Sequence, residues 1–370
     1  MEVSVIICNF AHGLACHNMV NQITIEGYKS FRAQTIKLDG LNVLIGSNGA
    51  GKSNFLSFFE LLGNAFEQRL GAYVATTGGV DKLLFQGRKT TEKITATLIM
   101  SHNSYGLTLQ EADGKLIVEN ERLGYYNDIV TITEYSPEAT IKTYSGMSRG
   151  NYIKDYLSHI RKFHFHDTGR RSPFATECHV RNDAYTLYSH GENLSPILYR
   201  MQQERPIAYQ RIVKVIQSVA PYFLDFYFQA SEAETLRLQW RDKYSEMIYG
   251  PNDLSDGTIR FIALATLFLQ PILPSVVIID EPELGLHPVA IQKLAGLLKS
   301  AAARGCQIIA ATQSADLISN FEPEQILTTN LKDGQTLVER LNGEELSHWL
   351  RDYSLGDLWK QSIVKGGQPQ

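Results

Sequence analysis

Polar and apolar residues alternate from Asn21 to Gly27 (NQITIEG), which predicts a half-buried strand. Gln34–Leu38 (QTIKL) predicts a second short strand, and Leu41–Ile45 (LNVLI) a third. The third is nearly all apolar, as a strand covered on both faces should be. It runs into a glycine-rich turn and then a helical pattern from Lys52 to about Phe66. From Lys93 the texture changes. KITATLIM, YGLTLQE, KLIVENE, TITEYS and ATIKTY read as an antiparallel meander, with Asp113-Gly114 as a hairpin turn. Helical patterns follow around Asn151–Ile160 and Ser195–Val219.

Buried-core patterns return from Asn252. Thr258–Leu269 reads as a helix, Val276–Ile279 as a buried strand, and Pro288–Ala303 as a helix closed by Gly305. Cys306–Ala311 is another buried strand, and Asp333-Gly334 joins Gln325–Thr329 to Thr336–Arg340 in a hairpin. The expected organisation is therefore an extension over 1–18, core over 19–92 and 251–345, an inserted β/α lobe over 93–250, and a C-terminal helix and tail over 346–370.

Composition narrows the classes. A chain of 370 residues with 44% hydrophobic and 20% charged residues can bury a large core. A net charge of −4 is not the footprint of a protein coated in nucleic acid, although a local basic stripe fits within such a total. The four cysteines, Cys8, Cys16, Cys178 and Cys306, have no zinc-ligand spacing, and a reduced, cytoplasmic protein is expected. No apolar run reaches membrane-spanning length, and no membrane association is expected.

Three segments carry chemistry. Gly46-Ser47-Asn48-Gly49-Ala50-Gly51-Lys52-Ser53 matches the phosphate-binding loop pattern G-x-x-x-x-G-K-[ST], between a buried strand and a helix. Glycines let backbone N–H groups turn inward on phosphate, and the helix N-terminus adds its dipole. Lys52 is expected on the terminal phosphates and Ser53 on Mg²⁺. Val276–Ile279 delivers Asp280 and Glu281 to a strand tip, Asp280 for Mg²⁺ and Glu281 as the general base for the attacking water. Leu254-Ser255-Asp256-Gly257-Thr258 opens an apolar helix, and Ser255 and Asp256 are good N-cap residues. It reads either as a well-capped core helix or as a phosphate-binding helix end.

LSDGT resembles the signature motif of ABC ATPases, usually LSGGQ, and it lies just upstream of the Asp-Glu strand as in that superfamily. The runs ITIEGYKSFRAQTIKLDGLNVLIGSNGAGKSNFL, LSDGTIRFIALATLFL, IIDEPELGLHP and IIAATQSADLISNF resemble the SMC/RecF/OLD branch, in particular the short bacterial "predicted ATPase" proteins of the AAA family. The motif-bearing parts span about half of the chain. The resemblance implies an α/β P-loop NTPase of ABC-ATPase head type, with a mixed β-sheet core and the inserted antiparallel-β and helical lobe. It implies ATP bound by Asn48, Gly49, Gly51, Lys52, Ser53 and Asn54, with Ser255 and Gly257 reaching the nucleotide of a second copy in a head-to-head homodimer. Leu284–His287 becomes the D-loop. Gln86 reads either as the Q-loop residue that senses Mg²⁺ or as a plain loop glutamine.

Two departures bear on turnover. Asp256 replaces the second signature glycine, and Gln313 stands where many relatives carry the switch histidine. Both favour a switch over a fast motor. The implied role is DNA maintenance or phage defence, including DNA repair, with DNA and a separate nuclease or effector subunit as partners. No nuclease motif follows the ATPase core. The alternative is the ATPase subunit of an ABC membrane transporter. His164 and His166 alternate in KFHFHD and read as structural before they read as a metal pair; Arg161, Lys162, Arg170 and Arg171 read as a solvated basic loop; Leu355 and Trp359 are expected to dock a C-terminal helix.

Overall fold

The computed structural model describes residues 19–146 and 148–364. The expected extension over 1–18, with Cys8 and Cys16, lies outside the described residues. The described chain forms two compact units. The first gathers the residues up to 161, 275–278 and those from 302 onward; the second gathers 162–274 and 279–301.

The first unit holds two sheets. One is wholly antiparallel, in the order Phe31–Lys37, Gln22–Tyr28, Lys93–Met100, Asn103–Ala112, Lys115–Tyr125, Asp128–Ser136. Gln22–Tyr28 pairs directly with Lys93–Met100, with Thr24 opposite Thr97. The meander from residue 93 is thus continuous with the N-terminal strands, and the expected inserted lobe is divided: its strands to Ser136 complete a core sheet, and only the chain from 162 enters the second unit. Local patterning gave the strands but not their pairing, which joins segments some seventy residues apart.

The second sheet of this unit runs Gln335–Arg340, Ile326–Lys332, Leu41–Ile45, Gln307–Thr312 and then the start of Val276–Asp280. Leu41–Ile45 lies parallel to both neighbours and is buried throughout, which explains its unbroken apolar run. The helix Lys52–Phe66 places Phe55, Leu56, Phe58, Phe59 and Leu62 in a core shared with Ile23, Ile25 and Leu98 of the antiparallel sheet and Leu44, Ile309 and Leu327 of the other. Gln307 begins its strand fully buried; its side chain satisfies Val20 and Asp39 backbone groups and accepts from Tyr156 Oη (2.8 Å). Leu355 and Leu358 are buried on the helix Leu355–Lys360, where a Cβ at Gly356 would lie 2.1 Å from the Ala315 carbonyl oxygen.

The second unit is mainly helical: Leu194–Glu204, Pro206–Gln217, Asp256–Leu269 and Pro288–Ala303. The helical pattern expected over Ser195–Val219 is two helices, because Pro206 has no N–H to continue the first and starts the second. A small antiparallel sheet, Phe223–Tyr227 with Gln239–Asp242 and Ile248–Tyr249, stacks Trp240 between Phe223 and Tyr249. Asp256–Leu269 is buried around nearly its whole circumference, so it is a core helix rather than a surface amphipathic one.

Candidate functional site

In the first unit, Leu41–Ile45 ends at Gly46 and Lys52–Phe66 begins after Gly51. Gly49 (φ +78°) and Gly51 (φ +105°) have left-handed backbone, which glycine adopts without a Cβ penalty. The loop is also braced from outside. A Cβ at Gly46 would lie 2.0 Å from Thr329 Oγ1, and one at Gly51 would lie 2.0 Å from Thr336 Oγ1. Thr329 donates to the Ile45 carbonyl (3.1 Å) and Thr336 to the Ala50 carbonyl (3.1 Å), so the hairpin Ile326–Lys332/Gln335–Arg340 holds the loop by its backbone. By contrast nothing crowds Gly49, and Asn48, Gly49 and Ser53 are exposed.

Lys52 is 6% exposed, and its ammonium donates to the Gly46 (2.6 Å) and Ser47 (3.1 Å) carbonyls inside the loop. A buried ammonium, an exposed hydroxyl at Ser53 and a curled glycine backbone suit the terminal phosphates of a nucleotide. The Asn54 side chain faces elsewhere, donating to Ser30 Oγ (2.8 Å), which also contacts Thr336 Oγ1 (2.7 Å). Gln86 is exposed in left-handed backbone (φ +56°) and lines a cavity of about 920 Å³ with Arg32, Lys89, Asp333 and Gln335. Gln313 is exposed directly after Gln307–Thr312, and the following Ser314 N–H donates to Thr312 Oγ1 (2.9 Å).

In the second unit, Ser255 caps the helix Asp256–Leu269 by accepting from the Thr258 N–H (3.2 Å). Ser255 and Asp256 are exposed. Gly257 meets the D-loop: a Cβ there would lie 2.3 Å from the Gly285 carbonyl oxygen. Asp280 ends its strand and is half-buried, and Glu281 follows with left-handed backbone (φ +42°) although it is not glycine. Turns continue from it, with Leu284 N–H donating to the Glu281 carbonyl (3.1 Å) and Leu286 N–H to that of Glu283 (2.9 Å). No group of three or more His, Cys, Asp or Glu among the described residues forms a ready metal cage. An oxygen set of hydroxyl and carboxylate completed by phosphate and water is the usual Mg²⁺ arrangement.

The histidines of KFHFHD lie beyond the strand Lys162–Phe163. The ring of His164 packs beside His166 (5.6 Å) and stacks on His190 (6.2 Å). Burial, then Lys162, then the neighbouring histidines lower the His164 pKa to about 4, so its imidazole is neutral at ordinary pH. His166 Nε2 donates to the Asp280 carbonyl (3.1 Å), which ties this segment to the acidic strand end.

Three residues that shape these loops escaped the sequence reading, Thr329, Thr336 and Arg260, and His166 was read there as structural without its partner at Asp280. Arg260 left a signal, a lone charge in the apolar helix sequence DGTIRFIALATLFL, since a cation there must find acceptors. The threonines left none.

Residues 19–167 match the family described as "AAA ATPase domain". The chain is similar to the energy-coupling factor transporter ATP-binding protein EcfA2 of Lactobacillus delbrueckii subsp. bulgaricus, with 28% identity over 140 residues, 36% of this chain and 47% of that one. It is similar also to EcfA2 of Latilactobacillus sakei subsp. sakei, with 33% identity over 124 residues, 32% of this chain and 41% of that one. The chain spans about half the length of the curated relatives it matches. Its fold is that of SMC heads: one bound to the C-winged helix domain of ScpA (TM-score 0.56, 15% identity, 89% of this chain and 99% of that one), and one with an extended coiled coil bound to the C-terminal domain of ScpA derived from Pyrococcus furiosus (TM-score 0.52, 14% identity, 90% and 98%). Residues 102–319, more than half of the chain, match the family described as "AAA domain, putative AbiEii toxin, Type IV TA system", and the chain belongs to that family.

Proposed function

We propose that this ATPase is a cytoplasmic ATP-gated switch for DNA maintenance or phage defence. Two copies close head to head around ATP and control a separate nuclease or effector subunit. The observation that carries the reading is a pair of half-sites with exposed residues: Asn48, Gly49 and Ser53 of the phosphate loop in one unit, and Ser255 and Asp256 of the capped helix end in the other. Each presents the start of a helix, where the first N–H groups lack intrahelical acceptors, and a γ-phosphate held between loop and helix end of two copies would satisfy both.

ATP would supply the scissile γ-phosphate, and Mg²⁺, when bound, would neutralise charge on its oxygens. Lys52, Asn48, Gly49 and Gly51 bind the phosphates, with Asn54 fixing Ser30 behind the loop. Ser53 and Asp280 would each offer an oxygen ligand to the metal, with Gln86 as a further candidate. Glu281 takes the proton of the attacking water, and Gln313 donates to the γ-phosphate. A neutral Gln313 and the carboxylate of Asp256 beside the helix end both slow turnover, which suits a switch.

Two observations support the partners. One SMC head of similar fold is bound to a winged-helix domain of ScpA, an example of a head carrying a second protein. In the second unit, Arg211, Lys214 and Lys293 line a groove of about 610 Å³, and the two helices that form it contain no acidic residue. Such a groove suits a phosphate backbone. The transporter reading has the EcfA2 similarity in its favour. A native pull-down of the Glu281→Gln protein with Mg·ATP separates the two. Recovery of DNA or a nuclease-like subunit is expected, and recovery of a membrane permease contradicts the proposal.

A further inference from the structure

The turn after the acidic strand carries a conformation that its own sequence disfavours. Glu281 has φ +42° without being glycine and precedes a proline, so the surrounding structure must hold it. A closed ring of hydrogen bonds does so, wholly within the second unit. On one side, His166 Nε2 donates to the Asp280 carbonyl (3.1 Å). That carbonyl and the Glu281 N–H belong to one planar peptide, so the bond fixes the plane from which Glu281 departs. On the other side, Arg260 Nη1 donates to the Leu284 carbonyl (2.8 Å), while the Leu284 N–H reaches back to the Glu281 carbonyl (3.1 Å).

The ring closes because Arg260 also holds the histidine segment. Its Nη2 donates to the His166 carbonyl (2.8 Å) and its Nε to the Phe165 carbonyl (3.1 Å). One guanidinium thus satisfies three backbone acceptors on two segments, a geometry a flat fork can meet and a point-like ammonium meets poorly. Space is reserved for it: a Cβ at Gly285 would lie 2.5 Å from Arg260 Nη1. Arg260 also stands on the helix capped by Ser255, so the same group joins that helix to the D-loop.

We propose that Arg260 and His166 are positioning residues for ATP hydrolysis, which clamp the Glu281–Leu284 turn from both ends and keep the Glu281 carboxylate aimed. The inference rests on the reading of Glu281 as the base. Neither residue needs to touch nucleotide. Removing either one relaxes the turn towards ordinary backbone and moves the carboxylate, which should lower kcat about 10- to 100-fold. The phosphate loop lies in the other unit, so the KM for ATP should stay within about twofold.

The test measures steady-state ATPase for the full-length chain and for Arg260→Met, His166→Leu, His166→Gln and Glu281→Gln. Glutamine offers an N–H near the position of imidazole Nε2, whereas leucine offers none. The expected result is a fall in kcat at constant KM for Arg260→Met and His166→Leu, with His166→Gln keeping at least half of the parent rate. If Arg260→Met does not fold, the His166 pair decides. Equal losses in the leucine and glutamine variants, unchanged kcat in both Arg260→Met and His166→Leu, or a change confined to KM would overturn the clamp. Turnover that survives in Glu281→Gln overturns instead the assignment of Glu281, so the two failures are distinguishable.

Discussion

Gly51 and Gly257 both stand where a helix begins, yet different neighbours deny each of them a side chain. At Gly51 the obstacle is a threonine hydroxyl from a β-hairpin, and the left-handed backbone adds its own demand. At Gly257 the obstacle is a carbonyl of the D-loop, itself part of a turn that Arg260 and His166 hold. The loop of the first unit is thus held by a hairpin of the sheet that carries it. The helix end of the second unit is packed against a turn that depends on long side chains and on one strained residue. Structure of the first kind resists change. Structure of the second kind can reset with a few hydrogen bonds, as the proposed switch would require.

Breaking the first region should have the largest effect. Lys52→Ala removes the buried ammonium and should weaken ATP binding by at least about 30-fold, roughly the 2 kcal/mol or more of a lost buried charge contact. Fluorescent-nucleotide titration checks this, and unchanged affinity would remove the phosphate loop from the account. Gly51→Ala should come next. A methyl group there meets Thr336 and strained backbone at once, for a loss of about 2–3 kcal/mol in stability by thermal or urea unfolding. Adding Thr336→Ser removes the crowding methyl but leaves the hydroxyl and the left-handed backbone, so it should restore only a fraction. Full recovery would mean that crowding by the methyl alone, and not the backbone, fixes the glycine.

Much of the candidate site is legible in the sequence, because its motifs are contiguous. Gly46–Ser53, Leu254–Thr258 and Val276–Glu281 each carry their logic within a short stretch. The resemblance to SMC/RecF-type heads followed from the same runs and agrees with the fold comparison. What escaped is what depends on distant pairing. No local pattern tells that Lys93–Met100 lies beside Gln22–Tyr28, or that Thr336 braces Ala50. The break at Pro206 was visible as a proline inside an apolar helical pattern. The clamp at Glu281 was half visible, as a charged Arg260 in an apolar helix, but its partners are backbone carbonyls, which leave no mark in a sequence.

The central claim is that ATP closes two heads on each other through the exposed helix end at Ser255. Light scattering on the Glu281→Gln protein, with and without Mg·ATP, tests it most directly. The account predicts a monomer without nucleotide and a stable dimer with it, and a return to monomer when Ser255→Arg is added while ATP binding persists. A Glu281→Gln protein that binds Mg·ATP and stays monomeric, or one that dimerises equally well with Ser255→Arg, would contradict it.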